Sequence, residues 1–190
     1  MKDFEKDIGQ CLEVLRLGGI ILYPSDTIWG IGCDATNEMA VQKIYKLKKR
    51  EESNSMIILL ADQRDLLQYV AALDLEVFNY LDSTTKPTTV VYDGAIHLAA
   101  NIINADGSVG IRVVKDEFCK NLILRFRKPI VSTSANLSGL PSPRFYSDIT
   151  DEIKKGVGYI VRYRQNDLTP CQPSSVIKWK NGGQVTVIRP

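Results

Sequence analysis

The sequence predicts an α/β fold in which a mixed sheet is flanked by helices, and three observations carry that expectation. Short apolar runs bounded by Gly, Pro or Asp-Gly alternate with segments whose apolar residues recur at helical spacing. A last hairpin pattern around Asn181-Gly182-Gly183 adds antiparallel strands to the interleaved order. The chain is 190 residues, 44% hydrophobic and 24% charged, which supports a sizeable core in a globular protein. No repeat or linker-like segment divides it, so residues 1–190 are expected as one domain.

Phe4, Ile8, Cys11, Leu12 and Leu15 mark the first helix, stopped by Gly18-Gly19. "IILYP" reads as a buried strand, and "SDTIWGIGCDAT" after it carries too much glycine for a helix. Asn37 is the expected N-cap of a helix through Arg50, with Val41, Ile44, Tyr45 and Leu47 inward. "MIILLA" is the next strand. Asp62 then opens a helix with Leu66, Leu67 and Val70 inward, and a short helix covers Leu75 to Leu81. "TTVVY" and "SVGIRVV" are strands, and "DEFCKNLILRF" is a helix ending before Pro129. "PIVST" is a strand, "ITDEIKKGV" a helix, "YIVRY" a strand, and "SSVIKWKNGGQVTVIR" the closing hairpin.

The longest apolar runs fall far short of the ~20 residues that span a bilayer. The charged N-terminus lacks a signal core. Cys11, Cys33, Cys119 and Cys171 are scattered, as expected for apolar filler in a reduced protein, and the expected location is cytoplasmic. A net charge of +2 gives little support to nucleic acid as a partner. There is no P-loop motif, and Gly18-Gly19 precede their strand whereas a dinucleotide fingerprint follows one. His97 is the sole histidine, so His-based triads and multi-His metal sites are disfavoured, and a surface or hydrogen-bonded role is expected for it. The chemistry must rest on positioning and charge stabilisation, with no catalytic nucleophile or base to name.

Three loops leave strand ends or approach them with small hydroxylic residues: Ser25-Asp26-Thr27, Ser134-Ala135-Asn136 with Ser138-Gly139, and Ser174-Ser175. Such groups can surround a phosphate or an amino-acid head group, although each loop alone is also ordinary turn composition. Lys43, Lys46, Lys48, Lys49 and Arg50 cluster at a helix C-terminus, either as a solvated face or with Lys48 and Arg50 as phosphate clamps. Arg112 interrupts an apolar strand and requires a carboxylate partner, from the chain or from a ligand.

Taken in order, "GGIILYPSDTIWGIGCDA", the K-x-R of Lys48 to Arg50, "SVGIRV" and "STSANLSGLPSP" resemble the threonylcarbamoyl-AMP synthases, the YrdC-like domain. The resemblance spans nearly the whole chain and matches the short, single-domain type. It implies a twisted open sheet of parallel and antiparallel strands with a concave, positively charged groove. It implies a reaction joining L-threonine, bicarbonate and ATP, with Mg2+ accompanying ATP, into threonylcarbamoyl-AMP and pyrophosphate for tRNA modification. A tRNA-modifying transferase complex would accept the product. The alternative is a non-catalytic binding protein of the same fold for double-stranded RNA or tRNA.

Carried over motif by motif, the resemblance implies threonine contacts at Thr27, Arg112, Ser134 and Ser174. It implies ATP contacts at Lys48, Arg50, Asn54, Ser108, Asn136, Arg144 and Arg189, with Lys48 and Arg50 stabilising charge. The family's W-P-G-P-x-T segment is replaced in this chain by Thr85-Lys86-Pro87-Thr88-Thr89.

Overall fold

The computed structural model describes residues 3–51, 56–180 and 182–190. The elements, in chain order, are α1 (Glu5–Arg16), β1 (Ile21–Tyr23), β2 (Gly30–Gly32), α2 (Glu38–Lys48) and β3 (Ile57–Leu60). A 3-10 turn at Gln63–Asp65 leads into α3 (Leu66–Tyr69), followed by α4 (Glu76–Ser83), β4 (Thr88–Tyr92) and β5 (Val109–Val113). Then come α5 (Glu117–Phe126), β6 (Ile130–Ser134), α6 (Asp151–Lys155), β7 (Tyr159–Ile160), β8 (Ser175–Lys180) and β9 (Gln184–Arg189).

Local chemistry explains where these elements start and stop. Gly18 takes φ +67°, and the Gly18 and Gly19 N–H groups donate to the Leu15 and Val14 carbonyls, a Schellman end that closes α1. The Asn37 side chain accepts from the Ala40 N–H to cap α2, and Asp116 does the same for α5 through the Cys119 N–H. α2 ends two residues earlier than the sequence suggests, because Lys49 turns left-handed at φ 52°.

Among the described residues the strands form one mixed sheet in the order β7-β1-β2-β6-β3-β5-β4-β8-β9. β3 and β5 run parallel, while β6 and β4 flank them antiparallel. The Gly30–Gly32 strand lies in the stretch read only as too glycine-rich for a helix, since a Gly-Ile-Gly triplet carries no strand pattern. It exists because glycine lets the backbones close up: a Cβ on Gly32 would stand 2.5 Å from the Val131 carbonyl oxygen. Leu67, expected inward, is exposed, because its helix is a single turn that buries only Leu66.

One face of the sheet packs Leu22, Ile31, Ile58, Val90, Ile111 and Val131 against Val41, Ile44 and Tyr45 of α2 and Val77 of α4. The opposite face packs Ile21, Tyr23, Leu59 and Ile130 under α1 and α5, whose Ile8, Cys11, Leu15, Phe118 and Leu122 are nearly solvent-free. Each such side chain contributes about 1.5–3 kcal/mol of burial. Three cysteines join these layers as expected, but Cys171 is exposed. α1 and α5 cover only part of their face. Ile57, Ser132, Ser134 and Gly30 extend that face beyond them by strand register, and this stretch floors the cavity described next.

Candidate functional site

The cavity measures about 250 Å3 and is lined by Thr27, Arg50, Arg112, Ser134, Ser174 and Arg189. Ser132, Thr133 and Ser142 add three further hydroxyls that the motifs do not single out. The lining therefore combines three arginines with six hydroxyls, and no carboxylate among the described residues touches it.

Each contributor is held by its own local structure. Thr27 sits in a turn after β1, where Ser25 Oγ accepts from the Thr27 N–H at 3.2 Å, donates to the Ile28 carbonyl at 2.8 Å and shares a 2.9 Å hydrogen bond with Thr27 Oγ1. Ser174, almost fully buried, shares a 2.8 Å hydrogen bond with Thr89 Oγ1, and its carbonyl accepts from Arg189 Nε and Nη2 at 3.2 and 2.8 Å. Arg189 is thereby fixed at the cavity wall. Burial lowers the Arg50 pKa from its ordinary value.

The carboxylate that Arg112 requires is Asp26, whose Oδ1 lies 3.0 Å from Arg112 Nη2. Their side chains are only 3% and 10% exposed. Arg112 Nε and Nη2 and both Asp26 oxygens nonetheless lack a hydrogen bond among the described residues. The pair is matched in charge but not saturated in hydrogen bonds.

Other motif residues lie differently. Lys48 is not in the cavity lining: its ammonium donates to the Ser134 carbonyl, to the Asn136 carbonyl at 2.6 Å and to Asn136 Oδ1 at 3.5 Å. The Ser138 N–H returns a 2.8 Å bond to the Lys48 carbonyl, so α2 and the loop after β6 are stitched together. Burial first, and Arg50 second, bring the Lys48 pKa down to about 7. Asn136 also points into its own loop, donating to the Leu137 and Leu140 carbonyls at 3.1 and 2.6 Å.

Ser108 shares the face of Arg112 by strand alternation but stands roughly 13 Å along β5. Its hydroxyl donates to Asp106 at 2.6 Å and accepts from Asn104 at 3.0 Å. Arg144 is an exposed wall of an adjoining hollow that shares Thr27 and Ile28 with the cavity. Asn54 lies outside the described residues. The basic cluster disperses: Lys43 caps the Gly18 carbonyl at 2.7 Å and Lys49 pairs with Glu152 at 2.9 Å. His97 is exposed, its Nδ1 2.8 Å from the Gln68 carbonyl.

Asp26 and Ser142 lie within the quoted motifs but carry no assigned contact there, and the fold makes them functional candidates. For Asp26 a signal exists, since an arginine inside an apolar strand needs an acid. What the sequence lacks is the distance between residues 26 and 112.

Among the described residues no group of three His, Cys, Asp or Glu side chains could hold a metal ion. The described lining of the cavity therefore does not fit a protein-ligated Mg2+ site. No helix among the described residues is long and apolar enough to cross a membrane.

The chain matches the Sua5/YciO/YrdC family model, described as "Telomere recombination", over residues 13–190. Its relatives include a protein named threonylcarbamoyl-AMP synthase from Aliivibrio fischeri, 29% identical over 93% of this chain and 96% of the relative. Another of the same name, from Idiomarina loihiensis, is 31% identical over 75% of this chain and 78% of the relative. In fold, the crystal structure of P. abyssi Sua5 complexed with L-threonine superposes with TM-score 0.85 at 24% identity. That match covers 98% of this chain but only 54% of the longer Sua5 chain. The motifs, the mixed sheet and the family match over residues 13–190 agree: the chain belongs to the Sua5/YciO/YrdC family.

Proposed function

We propose that this protein is an L-threonylcarbamoyladenylate synthase, forming threonylcarbamoyl-AMP and pyrophosphate from L-threonine, bicarbonate and ATP. The observation that carries the reading is Arg112, a buried arginine paired with one internal carboxylate, in one cavity with Arg50, Arg189 and the hydroxyls of Thr27 and Ser134. Two anionic reactants need such a place. Arg112 receives the threonine carboxylate with its planar fork, and Thr27, Ser134 and Ser174 surround the rest of the amino acid. Arg50 and Arg189 face the triphosphate, and the motif resemblance assigns Ser108, Asn136, Arg144 and Asn54 to ATP as well.

The chemistry needs no protein nucleophile. The threonine amine and bicarbonate give a carbamate with loss of water. A carbamate oxygen then forms a bond to the α-phosphorus of ATP while the bond to the bridging oxygen breaks, and pyrophosphate departs. Aligning the two anions and neutralising the charge that builds on the phosphates supply the rate. Substrates seated in the cavity displace the water that destroys carbamate and mixed anhydride. Mg2+, where ATP brings it, travels on the phosphates. Lys48 contributes indirectly by fixing the Ser134–Asn136 segment through its carbonyls. The product would pass to a tRNA-modifying transferase complex in the cytoplasm.

The test is direct. Purified protein with ATP, threonine, bicarbonate and Mg2+ is expected to release pyrophosphate only when threonine is present, with the adenylate detected by mass. Threonine-independent release, or none, refutes the reading. Tight, steeply salt-dependent RNA binding without threonine binding would favour a binding protein instead.

A further inference from the structure

We propose that Asp26 is a positioning residue that holds the Arg112 guanidinium ready for the amino acid's carboxylate, an inference that rests on the threonine reading above. A guanidinium in the middle of a strand, 3% exposed, is strongly disfavoured without a counter-charge. An internal carboxylate in full bidentate geometry would remove that cost and also consume the donors a substrate needs. The observed arrangement is not bidentate. Asp26 neutralises Arg112 across 3.0 Å, and Arg112 Nε and Nη2 remain without a hydrogen bond. Arg112 lines the cavity and Asp26 does not, so an incoming carboxylate meets the guanidinium from the cavity side, with its internal partner behind it.

Asp26 is kept in place from both sides. Ser25 and Thr27 are bonded to each other within the turn, and the Ser25 carbonyl accepts from Arg164 Nη1 at 3.4 Å. Arg164 is itself anchored by Nη2 on Asp116 Oδ2 at 2.5 Å, and Asp116 caps α5. Four segments thus fix one carboxylate behind the cavity: the turn after β1, the N-terminus of α5, β5, and the chain following β7. Asp26 does not line the cavity, so its action runs through Arg112.

The experiment compares wild type with Asp26→Asn, which keeps shape and removes charge, and Asp26→Glu, which keeps charge. Asp26→Asn is expected to raise the KM for threonine on the order of tenfold to a hundredfold, the scale of a misplaced contact, with the KM for ATP within about twofold. Asp26→Glu is expected to recover part of that loss. A second readout needs no substrate: the Arg112 Nε–H resonance is expected to shift in Asp26→Asn and not in a remote control such as Gly9→Ala. An unchanged threonine KM in a folded Asp26→Asn protein, or equal losses for threonine and ATP, overturns the proposal. If wild type fails to bind threonine, the functional reading falls, and the part Asp26 plays toward that substrate falls with it. The resonance still decides whether Asp26 holds Arg112: a shift supports that hold and an unmoved signal overturns it.

Discussion

Replacing Arg112 by Met tests the energetics of the buried pair most sharply. The substitution keeps an unbranched side chain of similar reach in β5 but leaves Asp26, 10% exposed, without its cation. At the observed 3.0 Å and an effective dielectric of about 20, the gross attraction removed is about 5 kcal/mol. Breaking such a pair from one side costs about 3–5 kcal/mol, because a buried charge is stranded. In urea, with a slope of about 2 kcal/mol/M, the midpoint is expected to fall by roughly 1.5–2.5 M with the slope unchanged. Adding Asp26→Asn removes the stranded charge, so the double variant is expected to regain most of the loss, because an uncharged pair is no longer penalised. A drop below about 0.5 M in the single variant, on the same scale, refutes the reasoning. So does a double variant no more stable than the single one.

Other consequences follow from the same geometry. Lys48 has a folded pKa of about 7 against an ordinary 10.5, so the unfolded chain binds more protons between those values and stability rises with pH across that window. The contribution has a ceiling of about 1.4 kcal/mol per pH unit and is expected to vanish in Lys48→Met; parallel stability curves for the two proteins from pH 7 to 10 would contradict it. Gly32→Ala puts a Cβ 2.5 Å from the Val131 carbonyl oxygen and 2.8 Å from Tyr23 Cε1, and overpacking of this kind costs about 1–3 kcal/mol in denaturant melts. Gly9→Ala, with nothing within 4 Å in α1, is expected to stabilise by about 0.5–1 kcal/mol, and a loss of stability there would be inconsistent with an open helix face. Arg50→Ala is expected to weaken ATP use and Arg112→Ala threonine use, each by roughly 1.5–3 kcal/mol in kcat/KM; equal small losses on both substrates from both changes would overturn the division of roles.

How much of the molecule is legible in the chain divides along physical lines. Helix ends set by local hydrogen bonds, such as Gly18-Gly19, Asn37 and Asp116, can be read because their chemistry is contained within a few residues. The strand at Gly30–Gly32 cannot. Its glycines serve a close approach to β6, which is a property of two distant segments together. The same distinction runs through the site. Thr27, Arg50, Arg112, Ser134, Ser174 and Arg189 are marked by motifs, and the fold brings them to one cavity. Lys48 reads as a solvated lysine or a phosphate clamp, because nothing near it in sequence reveals the Ser134 and Asn136 carbonyls 86 and 88 positions away. Arg112 announces its need for an acid by standing in an apolar strand. Only the tertiary structure identifies that acid as Asp26.

The account depends on where the amino acid sits, and a crystal structure of the protein with L-threonine and a non-hydrolysable ATP analogue measures that directly. The expected result places the threonine carboxylate on Arg112 between Thr27 and Ser134, with phosphate groups toward Arg50 and Arg189. Threonine found elsewhere would contradict it, for example in the larger hollow of about 510 Å3 lined by Arg64, Lys86 and Lys120 at the far end of β3, with the Arg112 cavity still open.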